Sequence, residues 1–177
     1  RQWECLPPWK VRSPNYSCAF LPGDIRGTGL RPPVGGLEAL HFLRQANIQR
    51  DQNVLINGAG GTIGTFAIQL AKYYGARVTG VDSTGKLEML QSIGADLVID
   101  YTQEDFTKRG AIYDVIFDVV GMSAFSRSVQ SLKPYGYYLL ANPGLAQMIR
   151  AKWTSKTSNK NVIVGAADYT TDDLLFL

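Results

Sequence analysis

The chain has 177 residues, 45% of them apolar, enough to bury one substantial core. Its 18 Lys and Arg against 15 Asp and Glu leave a net charge of +3, far from the dense basic field that a nucleic-acid backbone requires. No apolar run approaches the roughly 18 residues of a membrane span, and the opening residues lead into Pro7 and Pro8 rather than an apolar signal core; the expectation is a cytoplasmic protein with neither nucleic-acid nor membrane partner.

Residues 1–33 carry Pro7, Pro8, Pro14, Pro22, Pro32 and Pro33 and sustain no period of 2 or 3.6, so they are expected to be irregular. Cys5 and Cys18 lack the paired spacing and neighbouring histidines of a zinc site and are expected as free thiols. From Val34 the pattern changes. Leu37, Leu40, Phe42, Leu43 and Ala46 mark an amphipathic helix ending near Asn47, and His41 within it has no companion ligands and is expected to pack. Residues 34–177 then form a separate domain.

An alternation follows. Strands are expected at 53–56 (NVLI), 77–81, 97–99, 114–117, 137–141 and 161–164, with helices at 62–74, 86–93, 104–108, 123–132 and 145–153. Gly94 should close the helix at 86–93, and Thr171 and Asp172 offer N-cap chemistry to a last helix. Strands separated by helices imply right-handed crossovers and an α/β doubly wound parallel sheet, a six-stranded Rossmann fold in the order 3-2-1-4-5-6.

The first strand runs into Asn57-Gly58-Ala59-Gly60-Gly61-Thr62-Ile63-Gly64, and a helix follows. Strand, glycine turn and helix in that order make a site for a pyrophosphate, because the helix start presents unbonded amides and a positive dipole end. Gly61 lets the main chain approach the anion, and Gly64 lets the helix pack closely on the strand. Gly61, Thr62 and Ile63 are therefore the expected phosphate contacts. The first glycine of GxGxxG is replaced by Ala59, leaving AxGxxG preceded by Gly58. Asp82, 23 residues after Ala59 at the end of the second strand, stands where an acid meets the adenosine ribose.

Several segments in order carry a resemblance to a known family: PVGGLEALHFL (33–43), NVLINGAGGTIGTFAIQLAK (53–72), GAD (94–96) leading into VIDY (98–101), and YDVIFDVVG (113–121). Across 34–177 the chain resembles the cofactor domain of the medium-chain dehydrogenase/reductase superfamily, in its zinc-independent quinone oxidoreductase-like branch. The resemblance implies hydride transfer from a reduced nicotinamide to a quinone or an α,β-unsaturated carbonyl. It also implies that Lys86 and Tyr101 surround the adenosine end, that Val120, Ala141 and Asn142 lie toward the nicotinamide, and that no metal takes part. A homodimer is compatible with the parent enzyme. The family's N-terminal catalytic domain is not recognisable, so the chain is expected to be an incomplete fragment, inactive alone, with 1–33 a remnant or artefact of truncation; no catalytic residue can be assigned.

Two other assignments stay open or fall. A non-catalytic dinucleotide-binding module, reporting redox state or serving assembly, is the alternative. A short-chain dehydrogenase would need Tyr-x-x-x-Lys, and no tyrosine here has a lysine four residues later. Cofactor choice turns on DSTGK (82–86): Asp82 opposes a 2′-phosphate, while Lys86, Ser83 and Tyr101 could bind one if Asp82 turns toward the backbone amides of residues 83–85. NADP(H) is favoured slightly over NAD(H).

Overall fold

The computed structural model describes residues 31–177 apart from 111, 122, 145–147, 152, 155–157, 166–167 and 169. Six short strands rich in Val, Ile and Leu form one parallel sheet: β1 (Asn53–Asn57), β2 (Arg77–Asp82), β3 (Leu97–Asp100), β4 (Tyr113–Asp118), β5 (Leu132–Leu140) and β6 (Asn161–Val164). Their order is β3-β2-β1-β4-β5-β6, as the sequence predicts. Helices α1 (Arg31–Gln45), α2 (Thr62–Tyr73), α3 (Leu87–Ser92), α4 (Phe125–Gln130) and α5 (Thr171–Phe176) accompany the strands. None of the described helices is long and apolar enough to cross a membrane.

Successive strand side chains alternate between two cores, as a sheet covered on both faces requires. Val54, Ile56, Val78, Val115 and Phe117 pack with α1, α2 and Leu90 of α3; Leu55, Val81, Ile99, Ile116 and Leu140 pack with Phe106, Phe125 and Val129. Phe42 of α1 meets Phe117 of β4 with ring centroids 5.3 Å apart, which ties the first helix to the middle of the sheet.

Several boundaries differ from expectation. Helix α1 starts at Arg31, taking in Pro32 and Pro33, because the first turn of a helix has no use for their missing N–H groups; the expectation of an irregular 1–30 lies outside the described residues. The helix expected at 86–93 opens as a 3-10 turn, Thr84–Lys86, before α3, and Gly94 at φ 114° ends it. That expected at 104–108 is a 3-10 turn, Phe106–Arg109, capped by the Asp105 carboxylate, which accepts from the Thr107 amide at 3.0 Å.

The largest correction concerns Pro134. It was expected to follow a helix reaching Leu132, but α4 stops at Gln130, and β5 begins at Leu132 and runs past the proline. The pairing steps from Tyr113↔Leu132 to Val115↔Tyr137, and Tyr135 takes φ 64°. Pro134 thus lies in a bulge, where a residue without an N–H breaks no ladder. Residues 148–151 are helical, while 145–147 and 152 of the expected 145–153 helix are outside the described set. The last helix is capped by Thr170 rather than Thr171 or Asp172: its hydroxyl accepts from Asp173 N at 3.2 Å, and Asp173 returns the bond to Thr170 N at 2.8 Å.

Helix α2 sits so close to the end of β1 that a Cβ on Gly64 would lie 2.4 Å from the Gly58 carbonyl oxygen and 2.6 Å from Ala59 Cα. Both obstacles are backbone and cannot swing away. Gly64→Ala should therefore cost about 3 kcal/mol in urea unfolding, whereas Gly85→Ala, where nothing lies within 4 Å of the added carbon, should stay within about 0.5 kcal/mol of wild type.

Candidate functional site

At the end of β1 the chain turns sharply. The amides of Gly58 and Ala59 both donate to Val81 O, at 3.0 and 3.1 Å, with Gly58 at φ 82°. Gly58 therefore makes the tight turn that the missing first glycine of the motif would make, and Ala59 is fully buried beneath it. Gly61 is the N-cap of α2 with extended backbone; its amide donates to Gly58 O at 3.2 Å and its carbonyl accepts from Thr65 N at 2.9 Å. The next amides, of Thr62, Ile63 and Gly64, have no acceptor among the described residues, as expected in the first turn of a helix.

The four glycines of the turn have different neighbours. A Cβ on Gly58 would strike Val120 Cγ2 at 2.3 Å, and one on Gly60 would strike Lys86 Cδ at 2.3 Å. Gly64 is closed by backbone. A Cβ on Gly61 would meet nothing nearer than Gly58 O at 3.5 Å, so that position opens away from the protein, beside the unbonded amides. A cradle of this form fits an anion.

Asp82 lies beneath the turn. One carboxylate oxygen accepts from Gly60 N at 2.7 Å; the other accepts from Ser83 N at 2.8 Å and the Ser83 hydroxyl at 3.3 Å, and lies 3.2 Å from Lys86 Nζ. The expected rotation toward residues 83–85 is thus only half realised. The Ser83 amide is taken, but the second partner is Gly60, so the acid braces the glycine turn. Lys86 lays its stem over Gly60 and pairs with the same acid. Tyr101 follows β3, the residue 62% exposed and its amide donating to Asp82 O at 3.2 Å. Thr84 donates its hydroxyl to Asp100, joining the ends of β2 and β3.

The carboxyl ends of β4 and β5 form the other side. Val119 N donates to Asn57 O at 3.0 Å, half-exposed Val120 stands against Gly58, and Gly121 takes φ 71°. Ala141 N donates to Asp118 O at 3.2 Å, its side chain packing partly on the core, and the Asn142 amide group donates to Val119 O at 3.0 Å. The expected residues thus fall into two groups flanking the turn: Asp82, Ser83, Lys86 and Tyr101 on the β2–β3 side, and Val120, Ala141 and Asn142 on the β4–β5 side. This crevice beyond the carboxyl ends of β1 and β4 is where the strand order reverses.

Sequence reasoning missed Gly60 and Asp118. Asp118 is fully buried, and its two oxygens accept from the Asn57 side chain at 3.0 Å, Gly121 N at 2.9 Å, the Tyr138 hydroxyl at 2.8 Å and the Ser123 hydroxyl. Burial, followed by the neighbouring Asp118 charge, pushes the Tyr138 hydroxyl well above the ordinary tyrosine range. Asp118 closes the quoted segment YDVIFDVVG, yet its partners are spread from residue 57 to 138 and only folding gathers them. No group of three or more potential metal ligands occurs among the described residues. His41 instead faces the Asp168 carbonyl at 3.0 Å and Gln45 at 2.7 Å.

Burial raises the Asp82 pKa, but the amides of Ser83 and Gly60 and the Lys86 ammonium outweigh it and hold the carboxyl below its usual range. A depressed acid contributes stability that is present above its unfolded pKa, about 3.9, and is lost as pH falls through the lower folded value. The stability gap between wild type and Asp82→Asn should hence be constant above about pH 5 and shrink below about pH 4, as read from urea unfolding at each pH; a gap independent of pH would contradict the clamp.

Residues 62–168 match the family described as zinc-binding dehydrogenase. The 2-methylene-furan-3-one reductase of Solanum lycopersicum is 42% identical over 59% of this chain and 27% of its own length. The mitochondrial NAD(P)H oxidoreductase RTN4IP1 of Mus musculus is 33% identical over 92% of this chain and 46% of its own. Among solved structures, the quinone oxidoreductase from Coxiella burnetii superposes with a TM-score of 0.73 at 28% identity, covering 80% of this chain and 44% of that one. The Escherichia coli quinone oxidoreductase complexed with NADPH gives 0.66 at 25% identity, covering 80% and 48%. The chain spans less than half the length of these relatives. A family match over more than half of the chain, joined to this sheet order and glycine turn, places it: the chain belongs to the zinc-binding dehydrogenase family, in the quinone oxidoreductase-like branch of the medium-chain dehydrogenase/reductase superfamily.

Proposed function

We propose that this chain binds a nicotinamide dinucleotide and serves an NAD(P)H-dependent oxidoreductase acting on a quinone or an α,β-unsaturated carbonyl. The observation that carries the proposal is the cradle at Gly61, where the turn opens outward beside the unbonded amides of Thr62, Ile63 and Gly64. Gly61, Thr62 and Ile63 would hold the pyrophosphate, Asp82, Ser83, Lys86 and Tyr101 would surround the adenosine ribose, and Val120, Ala141 and Asn142 would border the nicotinamide. Relatives named as reductases of a furanone and of quinones, and one complexed with NADPH, support this assignment. When bound, a reduced nicotinamide supplies a hydride to the acceptor, water supplies the proton that completes the product, and the ring is left oxidised and cationic. What the chain itself contributes is binding and orientation, and no metal enters the proposal.

NADPH is the proposed partner, narrowly. Lys86 is the one residue of the adenosine-side group with a positive charge to offer a 2′-phosphate, but it is paired with Asp82 and would serve both. Asp82, in turn, has both oxygens engaged by Gly60, Ser83 and Lys86, which leaves it poorly disposed to accept from a ribose hydroxyl. Titration of NADPH and NADH at fixed ionic strength tests the choice. Lys86→Ala should weaken NADPH by about tenfold and NADH by much less. Tighter NADH binding by wild type, with the NADPH affinity unmoved by Lys86→Ala, would make Asp82 the ribose-binding acid of an NAD enzyme.

Gly61→Val should leave the circular dichroism spectrum and melting temperature close to wild type, because the added carbon enters open space, and lower cofactor affinity by about 100-fold, the loss of two charge-assisted hydrogen bonds. Unchanged affinity would remove the phosphate role. Turnover separates enzyme from binding module: the folded, cofactor-binding chain is given NADPH and a panel of quinones and enones. Hydride transfer well above the rate without protein excludes a purely binding role.

A further inference from the structure

Asp118 is a buried carboxylate whose negative charge none of the described ion pairs neutralises. It is stabilised by hydrogen bonds alone: Asn57 and Gly121 donate to one oxygen, Ser123 and Tyr138 to the other. An asparagine in the same place could accept from Asn57 and Gly121 through its carbonyl, but its amide would leave one hydroxyl hydrogen of the Ser123–Tyr138 pair without an acceptor, because Ser123 already accepts from Ser128. The carboxylate thus completes the network at the cost of a buried charge that no cation answers, and such a charge acts on whatever lies beside it.

Its position gives that charge a place to act. Asp118 ends β4 in register with Asn57, immediately before Val119 and Val120, and Val120 stands against the glycine turn. We infer that the buried charge of Asp118 biases bound nicotinamide toward its oxidised, cationic form and so favours hydride donation, an inference that rests on the dinucleotide reading above. A residue two or three positions from the ring's proposed border is within about 10 Å of it. Across that distance, in a medium of effective dielectric near 20, a unit charge changes the relative affinity of a cationic and a neutral ring by about tenfold. The four donor dipoles cancel part of this, leaving about fivefold.

The test measures dissociation constants of the oxidised and reduced cofactor for the full chain, by calorimetry for the first and by nicotinamide fluorescence for the second. Asp118→Asn should raise the ratio of the oxidised to the reduced constant by about fivefold. Tyr138→Phe removes a donor and loosens the same network but keeps the charge, so it should lower stability without raising that ratio. An unmoved ratio in Asp118→Asn overturns the role of Asp118 and leaves the dinucleotide reading intact. A rise in Tyr138→Phe equal to that in Asp118→Asn makes packing rather than charge the cause, and overturns it also. Wild-type chain that binds neither form removes the dinucleotide reading, and the role of Asp118 with it.

Discussion

Helix α2 meets the end of β1 backbone to backbone. At Gly64 there is no room for a single carbon between the helix and the carbonyl of Gly58, and that closeness positions much of the rest. It brings the first turn of the helix to the carboxyl edge of the sheet, so that the amides of Thr62, Ile63 and Gly64 emerge where the strand order reverses.

Two carboxylates hold this arrangement from either side, and they do so differently. Asp82, on the β2 side, is part of an ion pair and grips the turn through Gly60; its charge is answered locally by Lys86. Asp118, on the β4 side, is met only by neutral donors drawn from β1, β5 and the turn after β4. The first should respond to acid as a clamp and to cofactor choice as a shared partner. The second acts through a charge that stays uncompensated, and buried polar groups so completely bonded give one arrangement of the surrounding turns rather than several.

The glycines show why a motif alone could not assign these roles. Gly58, Gly60, Gly61 and Gly64 occur within seven residues, and the pattern ranks Gly61 and Gly64 as the meaningful pair. Three of them have separate causes: Gly58 its φ and Val120, Gly60 the Asp82 carboxylate with the Lys86 stem beside it, Gly64 the backbone beneath it. Gly61 alone is free of steric pressure from the protein, which is the property a ligand-facing position should have. The substitution of Ala59 for the usual first glycine loses its weight once Gly58 is seen to make the turn.

Much of the fold was legible in the chain because its signals are local. Apolar runs of three to five residues alternating with helical periods set the number of strands and their places along the chain, and AxGxxG between strand and helix located the glycine turn. Boundaries were missed where tertiary pairing overrode local preference: the helix expected to reach 132 stops at Gln130, and a register shift between Tyr113 and Val115 lets β5 run past Pro134 in a bulge. Among the expected site residues, Asp82 could be named from its place at a strand end, and Lys86 and Asn142 from the family resemblance, but what each one touches could not. Asp82 reaches Gly60 across 22 residues, and Asp118 gathers partners up to 61 residues away on three strands or turns. Sequence determined where the strands lie along the chain, since hydrophobic period and turn chemistry are properties of neighbours. Only the tertiary structure decided which of those ends face one another, because a hydrogen bond depends on distances that the parallel sheet sets and the chain order does not.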